Sequence, residues 1–486
     1  MISFTAAIIL LVLGYVLYGA FVEKVFGADN KIKTPAITNP DGVDYVPMSW
    51  WRIFLIQFLN IAGLGPIFGA IMGIMYGPAA FLWIVIGSIF GGAVHDYISG
   101  MLSIRQKGAS FPEIIGTQLG VRVKQFVGVF TILLLILVGA VFVSGPAGIL
   151  NSIFSNISIL WWSVIVFIYY LLATLLPIDK LIGRLYPIFG FCLLVMAGGI
   201  LIAIYTNSAP IPEIWNGIAN QEPNKLPIFP MMFISIACGA ISGFHATQSP
   251  LMARCVKDEK TGRRVFYGAM IVEGIITLIW AAAGSSFYGS IQGLQEYVAT
   301  LPPTANKAAI VVKAISDNWL GVFGSFIAML GVVAAPITSG DTALRSARLT
   351  IADFLKFDQK PIKNRLIVSI PIFLATFILL QINFDILWRY LAWSNQTLSV
   401  FTLWACTVYL RKENKNYFIT LIPALFMTCV CTTYIFYAPE GLRLPYNVSV
   451  IIGLITTIIF LSIFTLKKSE KLKVIMEKVR VERGKK

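Results

Sequence analysis

The stretch QFLNIAGLGPIFGA, residues 57–70, places two glycines and a proline in the middle of an apolar run. Glycine weakens a helix interior, and proline removes one backbone donor while it crowds the preceding turn. Polar backbone groups freed in this way are tolerated at membrane depth only where they face protein or a water-filled cavity. The pattern therefore predicts a binding site built on an interrupted membrane helix. Its residues are Gln57, Asn60, Gly63, Gly65 and Pro66.

The composition around this stretch is that of a membrane protein. Of 486 residues, 57% are hydrophobic and 13% are charged, whereas soluble domains carry about 25% charged residues. A helix needs about 20 apolar residues to cross a bilayer, and several segments free of Lys, Arg, Asp and Glu reach that length. These segments are 1–22, 53–94, 125–178, 185–212, 318–340, 416–439 and 444–466. We predict an all-α polytopic membrane protein, and exclude a secreted disulfide scaffold, a disordered chain and a soluble enzyme.

The apolar segments and the turn signals between them predict about thirteen transmembrane helices. The first is a retained helix rather than a signal peptide, because no small-residue cleavage site precedes Glu23. The predicted spans are 3–22, 50–76, 78–104, 125–148, 157–177, 183–205, 229–251, 265–288, 317–340, 365–382, 384–410, 416–437 and 446–466.

A second interrupted span is predicted at residues 238–250, CGAISGFHATQSP, where Gly239, Gly243 and Pro250 break the helix. The two interrupted spans are second and seventh in the chain, so they take matching positions in two five-helix halves of opposite topology. Interrupted segments so placed indicate a transporter site near the bilayer midplane; close helix packing is the alternative interpretation. The site residues predicted here are Ser242, Gly243, His245 and Gln248.

This order of spans divides the chain into five segments. An extra N-terminal helix occupies 1–22, the first half of the core occupies 23–205, and the second half occupies 206–415. Two additional helices follow at 416–466, and a basic tail ends the sequence at 467–486. The tail suits an amphipathic helix that lies on anionic lipid of the bilayer, with a solvated tail that fixes topology as the alternative.

The excess of basic residues predicts the orientation of the chain. Lys and Arg number 38 against 23 Asp and Glu, a net charge of +15, which in a soluble protein would suggest nucleic acid. With the N-terminus outside, 33 of the 38 basic residues fall in cytoplasmic loops or at their membrane edge, and four fall in external loops. Cytoplasmic loops of membrane proteins carry such an excess. We therefore predict an external N-terminus, a cytoplasmic C-terminus and no nucleic-acid partner.

Ionisable residues inside membrane spans are costly, so each is a candidate functional group. His95 and Asp96 are adjacent in the third span, where neighbouring side chains point about 100° apart, and they need not contact each other. Glu273 in the eighth span is either a proton-binding carboxylate or the partner of an internal cation. We assign His95, Asp96 and Glu273 to ion or proton coupling; the alternative is a structural role, as it is for His245.

Two further groups of polar residues are candidates. Near the end of the ninth span, Asp341 and Arg345 are four residues apart and can pair on one helix face. They are predicted to form a cytoplasmic gate, with a surface ion pair as the alternative, and Arg348 is expected at the surface. In the eleventh span, Asn395 and Gln396 are expected to line the substrate site or to form hydrogen bonds between helices.

The sequence contains no nucleotide-binding loop, metal signature or serine-nucleophile elbow. Its six cysteines show no paired metal-ligand spacing. The chain is therefore predicted to have no catalytic residue, no cofactor and no metal. Transport would have to draw on an ion gradient or on substrate flux.

A series of longer motifs runs along the chain: DGVDYVP, GLGPIFGAIMG, GGAVHDYISGMLSIRQKGASFPEIIG, SGFHATQSPLMARCV, DTALRSARLTIADFL and LWRYLAWSNQTL. In this order they resemble the carbon starvation protein A family of bacterial inner-membrane transporters, over roughly residues 1–470. The resemblance implies uptake of peptides or, in close relatives, of pyruvate with proton symport. It also implies a LeuT-like fold with a five-plus-five inverted repeat. The chain departs from the family pattern at AVHDY and FHATQSP, so peptide and pyruvate both stay open.

The sequence as a whole predicts a secondary active transporter of the bacterial inner membrane. It would import a small polar nutrient, a peptide or pyruvate, coupled to a proton or sodium gradient and linked to the carbon starvation response. The alternatives are a nutrient sensor without transport, an intramembrane enzyme and a passive channel.

Overall fold

The computed structural model describes residues 1–42, 44–154, 156–174, 178–302, 306–359, 361–382 and 384–483. For residues 152, 178–185, 322, 323, 325, 327–329, 385 and 467–483 it describes the backbone alone. These residues form helices and connecting segments, with one isolated β-bridge between Lys33 and Asp258. The predicted all-α class is confirmed.

The main helices follow the order of the predicted spans, and each span overlaps one of them. They are α1 (Ile2–Phe26), α2 (Trp50–Ile61 and Gly65–Ile74), α3 (Ala79–Arg105), α4 (Val121–Ile153), α5 (Ile159–Ala173), α6 (Ile178–Thr206), α7 (228–236 and Gly243–Ala253), α8 (Glu259–Phe287), α9 (Lys307–Leu355), α10 (Ile362–Leu379), α11 (Phe384–Lys412), α12 (Phe418–Tyr437) and α13 (Tyr446–Arg483). Short helices at Pro35–Thr38, Phe111–Leu119 and Ile291–Thr300 lie in connecting segments. Among the described residues, nine helices are long and apolar enough to cross a membrane, and the two parts of α2 make a tenth. Thirteen crossings and an inverted repeat stay predictions.

The predicted interruption of α2 is confirmed. The first part of the helix ends at Ile61, because Ala62 leaves the helical conformation with ψ 39°. The second part begins at Gly65, and the two parts are bent by 55°. Pro66 therefore stands in the first turn of a helix, where its missing N–H costs no hydrogen bond.

The interruption of α7 differs from the prediction in position. The break lies at residues 237–242, where Ala237 has a positive φ of 36° and Ser242 is extended. Pro250 lies inside the second part of α7, so the expectation that it interrupts the span is wrong. Next to it, the Ser249 hydroxyl donates to the His245 carbonyl at 3.0 Å.

The connecting segments at each end of the bundle contact one another. At one end the pairs are Tyr45 with Lys107, Met48 with Cys255, and Arg105 with Glu259. At the other end they are Tyr76 with Gln221, and Gln221 with Gln295. All segments of the first set are ones predicted to be cytoplasmic, and we call that end the predicted cytoplasmic face.

Helix α9 is longer than the predicted ninth span, since it continues to Leu355 rather than ending near residue 340. It carries Asp341, Arg345 and Arg348 into the bundle, where all three are buried. The expectation of a surface position for Arg348 is therefore wrong. The backbone of the tail continues α13 as a helix to Arg483. Its side chains, and with them the predicted lipid contact, lie outside the described residues.

Candidate functional site

The two interrupted helices meet at their interruptions. A Cβ atom on Gly65 would lie 2.6 Å from the Sγ of Cys238, and one on Gly69 would lie 2.9 Å from the carbonyl oxygen of Ile236. Both distances are shorter than a carbon atom tolerates, so glycine permits the close approach. The structure thus brings the two predicted interruptions into direct contact.

Gly63 and Pro66 belong to the same buried region. A Cβ atom on Gly63 would lie 2.7 Å from the ring of Phe142 on α4, and Pro66 is fully enclosed beside it. Neither residue offers a polar side chain. Their role in this arrangement is to let the chain turn between the two parts of α2.

Asn395 of α11 holds the start of the second part of α7. Its Oδ1 accepts hydrogen bonds from the Phe244 backbone N–H at 2.6 Å and from the Ser242 hydroxyl at 3.0 Å. Its Nδ2 donates to the Sγ of Cys238 at 3.1 Å. Gly243 lies against the backbone of α11, where a Cβ atom would lie 2.5 Å from the Asn395 carbonyl oxygen. Asn395 therefore caps this helix from a neighbouring helix.

Replacing Asn395 by Ala is expected to destabilise the protein by about 1–2 kcal/mol, the usual cost of losing a helix cap. Thermal unfolding in detergent measures the change. Asn416→Ala is the matched control, because Asn416 accepts from the Phe418 N–H at the start of α12 but is exposed. A loss for Asn395→Ala no larger than for the control would contradict the capping role.

Four predicted site residues are buried amides with atoms that have no hydrogen-bond partner among the described residues. These atoms are Oε1 of Gln57, Nδ2 of Asn60, Oε1 of Gln248, and both Nε2 and Oε1 of Gln396. The partners that do exist are hydroxyls: Ser249 for Gln57, Thr342 for Asn60 and Thr247 for Gln248. Most buried polar atoms in proteins are paired. A group of unpaired amides is therefore suited to bind a polar ligand.

The predicted coupling residues His95, Asp96 and Glu273 are linked across three helices by His245, a residue predicted for the substrate site. Asp96 on α3 lies between two histidines: its Oδ1 is 2.7 Å from Nδ1 of His95, and its Oδ2 is 2.8 Å from Nδ1 of His245. The Nε2 of His245 is 3.5 Å from Oε2 of Glu273 on α8. All four side chains have no exposed surface. The expectation that His95 and Asp96 need not touch is corrected, because the Asp96 carboxylate is shared between both imidazoles.

This series of linked carboxylate and imidazole side chains can carry a proton between helices. Carboxylate and imidazole alternate along it, and imidazole is the side chain whose charge changes most readily near neutral pH. Neither carboxylate oxygen of Glu273 has a hydrogen-bond partner among the described residues. Among the residues that the structure describes, no three side chains of His, Cys, Asp or Glu are grouped as ligands for a metal ion.

The two predicted gate residues each contact a distant segment. Asp341 accepts a hydrogen bond from the Tyr186 hydroxyl at 2.5 Å. Arg345 donates to the Ala173 carbonyl at 2.9 Å, and its guanidinium is 3.8 Å from the Asp44 carboxylate. Neither Asp44 nor Tyr186 is among the site residues predicted from the sequence. Asp44 had a signal, since it belongs to the DGVDYVP motif, whereas Tyr186 had none.

A family model described as "Carbon starvation protein CstA" matches residues 1–156 and 146–318, which together exceed half of the sequence. The chain belongs to the carbon starvation protein CstA family. The resemblance drawn from the motifs is thereby confirmed.

Relatives of this CstA-family chain include a membrane protein without a functional name and two named transporters. An "Uncharacterized membrane protein" of Haemophilus influenzae is 44% identical over 65% of this chain and 99% of its own length. The "Peptide transporter CstA" of Bacillus subtilis is 25% identical over 87% of this chain and 88% of its own. The "Pyruvate/proton symporter BtsT" of Escherichia coli is 26% identical over 58% of this chain, which spans 48% of that relative.

A solved structure shares the fold of this CstA-family protein. The manganese transporter of Eremococcus coleocola superposes with a TM-score of 0.56, and the alignment covers 89% of this chain and 99% of that one. Its sequence identity is 14%. The likeness therefore concerns the fold, which is that of a multi-pass helical membrane protein.

Proposed function

We propose that this protein is a secondary active transporter that imports a small polar nutrient, a peptide or pyruvate, across the bacterial inner membrane with a proton as coupling ion. The observation that carries the proposal is the buried chain from His95 through Asp96 and His245 to Glu273. The names of the relatives, which include a peptide transporter and a pyruvate/proton symporter, support the substrate class.

We propose the substrate site at the contact between the two interruptions. The amides of Gln57 and Asn60 come from the first part of α2, and Gln248 comes from the second part of α7. Gln396 follows the capping residue Asn395 on α11. These side chains supply both donors and acceptors, as a polar nutrient requires.

The proton chain and the substrate site share one helix segment. His245 is three residues before Gln248, and both lie in the second part of α7. When His245 carries an additional proton, it can pair with Asp96 and Glu273 together and hold this segment against α3 and α8. When it loses that proton, the attraction to one carboxylate is lost. Substrate bound to the same segment then shifts the equilibrium between these two arrangements of the segment. Through this coupling a proton gradient can drive substrate uptake.

The sidedness follows from charge. The connecting segments 23–49, 105–124 and 252–264, which contact one another at the predicted cytoplasmic face, hold 12 basic residues, including Arg105. The positive-inside rule supports a cytoplasmic position for that face and for the C-terminus. Import then runs towards the face where the loops between α1 and α2 and between α7 and α8 meet.

Purified protein in proteoliposomes tests the proposal. With an inward proton gradient we expect accumulation of radiolabelled pyruvate or dialanine, and a protonophore should abolish it. A sodium gradient at equal pH on both sides is the comparison for the coupling ion. Absence of accumulation with either substrate under either gradient, for protein shown to be monodisperse, would overturn the proposal.

A further inference from the structure

Two cavities meet at the predicted cytoplasmic face. The outer one has a volume of about 480 Å³, and Tyr45, Glu113, Asp353 and Lys356 are among its lining residues. The inner one has a volume of about 10 Å³, and its lining includes Thr247, the neighbour of Gln248 in the candidate substrate site. Ser110 and Arg254 line both cavities.

Arg254 is an unusual cation for this position. Its side chain is 6% exposed, its Nε donates to the Gly108 carbonyl at 2.9 Å, and its guanidinium lies 5.1 Å from the centre of the Tyr45 ring. No carboxylate of the described residues forms an ion pair with it. Buried charges are ordinarily paired, because an uncompensated charge away from water is costly.

Two further cations lie near Arg254. Arg348, which is buried nearby on α9, keeps its Nε and one terminal nitrogen without a partner among the described residues. Lys356 adds a third positive charge at the outer cavity. Three acidic residues, Glu113, Asp353 and Asp358, also line the outer cavity, and Glu113 is paired with Lys124.

We infer that Arg254 anchors the carboxylate of the substrate at a second site, between the interrupted helices and the cytoplasm. A guanidinium presents two parallel N–H groups that match the two oxygens of a carboxylate. The ligand class is a small carboxylate, either a free monocarboxylate or the C-terminal carboxylate of a short peptide. The place of this site in transport rests on the proposed function, but binding of the carboxylate does not.

Side-specific counterflow in vesicles of defined orientation tests the inference, with labelled pyruvate and labelled dialanine as separate probes. For Arg254→Gln we expect the half-saturating concentration on the Arg254 side to rise about 10- to 100-fold, the effect of losing a hydrogen bond to a charged group. The value for the opposite side should not change. Arg254→Lys, which keeps the charge without the paired geometry, should lie between. The probe whose value rises identifies the source of the carboxylate.

Arg264→Gln is the matched control, because Arg264 is on the same face, stacks on Trp50 and lines neither cavity. Neutral analogues distinguish a role in carboxylate recognition from a structural role. On wild-type protein, pyruvamide and dialaninamide should compete poorly with the labelled acids. On Arg254→Gln, these amides should compete as well as the unlabelled acids do. Equal changes on both sides, or a retained preference for the acids, would show that Arg254 is structural.

A binding assay separates this inference from the proposed function. In detergent, wild-type protein should prefer pyruvate or dialanine over the matching amide, and Arg254→Gln should lose that preference. This result in a protein that fails to transport would support the site and overturn the transporter proposal. A wild-type protein without the preference would overturn the site, whatever its transport activity. If Arg254→Gln is not monodisperse, Arg254→Lys serves in both assays.

Discussion

Replacing Glu273 by Gln is expected to abolish accumulation of substrate against a gradient while exchange across the membrane continues. The Glu273 carboxylate is buried, 3.5 Å from the Nε2 of His245, and has no hydrogen-bond partner among the described residues. Glutamine keeps the size of the side chain but can neither bind nor release a proton. For one proton per substrate, each unit of pH difference supports about tenfold accumulation, and the variant should lose all of it.

The measurement compares accumulation under a pH gradient with counterflow at equal pH in the same proteoliposomes. Glu296→Gln is the control, because Glu296 is exposed on the short helix after α8 and its replacement removes the same charge. If Glu273→Gln accumulates substrate as the control does, with the same dependence on pH, Glu273 has no part in coupling. Loss of both accumulation and counterflow would point to a structural defect instead of uncoupling.

Replacing Gly65 by Ala is expected to destabilise the protein by about 1–3 kcal/mol, the usual cost of overpacking, and to stop transport. The new methyl group would lie 2.6 Å from the Sγ of Cys238, so the two interruptions would have to separate. Cys238→Gly removes both the Cβ and the Sγ that the alanine meets. The double variant is therefore expected to recover stability relative to Gly65→Ala alone.

Thermal unfolding of the two single variants and the double variant gives the interaction free energy between the positions. Gly148→Ala in α4 is the control, because a Cβ atom there has no neighbour within 4 Å, and alanine suits a helix better than glycine. Additive effects of the substitutions at Gly65 and Cys238 would show that the contact does not hold the interruptions together.

The sequence located the interruption of α2 because glycine and proline mark it directly. It placed the break in α7 less well, since the residue with a positive φ is Ala237, a type that gives no such signal. Pro250 was expected to break the helix because proline usually does so, yet it lies inside the second part of α7.

For the side chains of the candidate site, the sequence indicates individual residues but not how they are linked. His95, Asp96 and Glu273 were each identifiable because ionisable groups are costly in a membrane, but their connection through His245 depends on how α3, α7 and α8 pack. Arg348 looked like a surface residue because α9 continues beyond its apolar part. The cost of burial is visible in sequence, whereas the partner that offsets it comes from residues far apart in the chain.

The cap that Asn395 places on α7 limits how the protein can change shape. One of its three hydrogen bonds reaches the second part of α7 at Phe244, and the other two reach the break before it, at Ser242 and Cys238. Helix α11 is in turn joined to α12 through Trp393 with Cys431 and Trp404 with Thr428. We therefore expect a displacement of the start of the second part of α7 to displace α11 and α12 as well. On this view α12, which the sequence suggested was an addition to the core, belongs to the part of the protein that moves during transport.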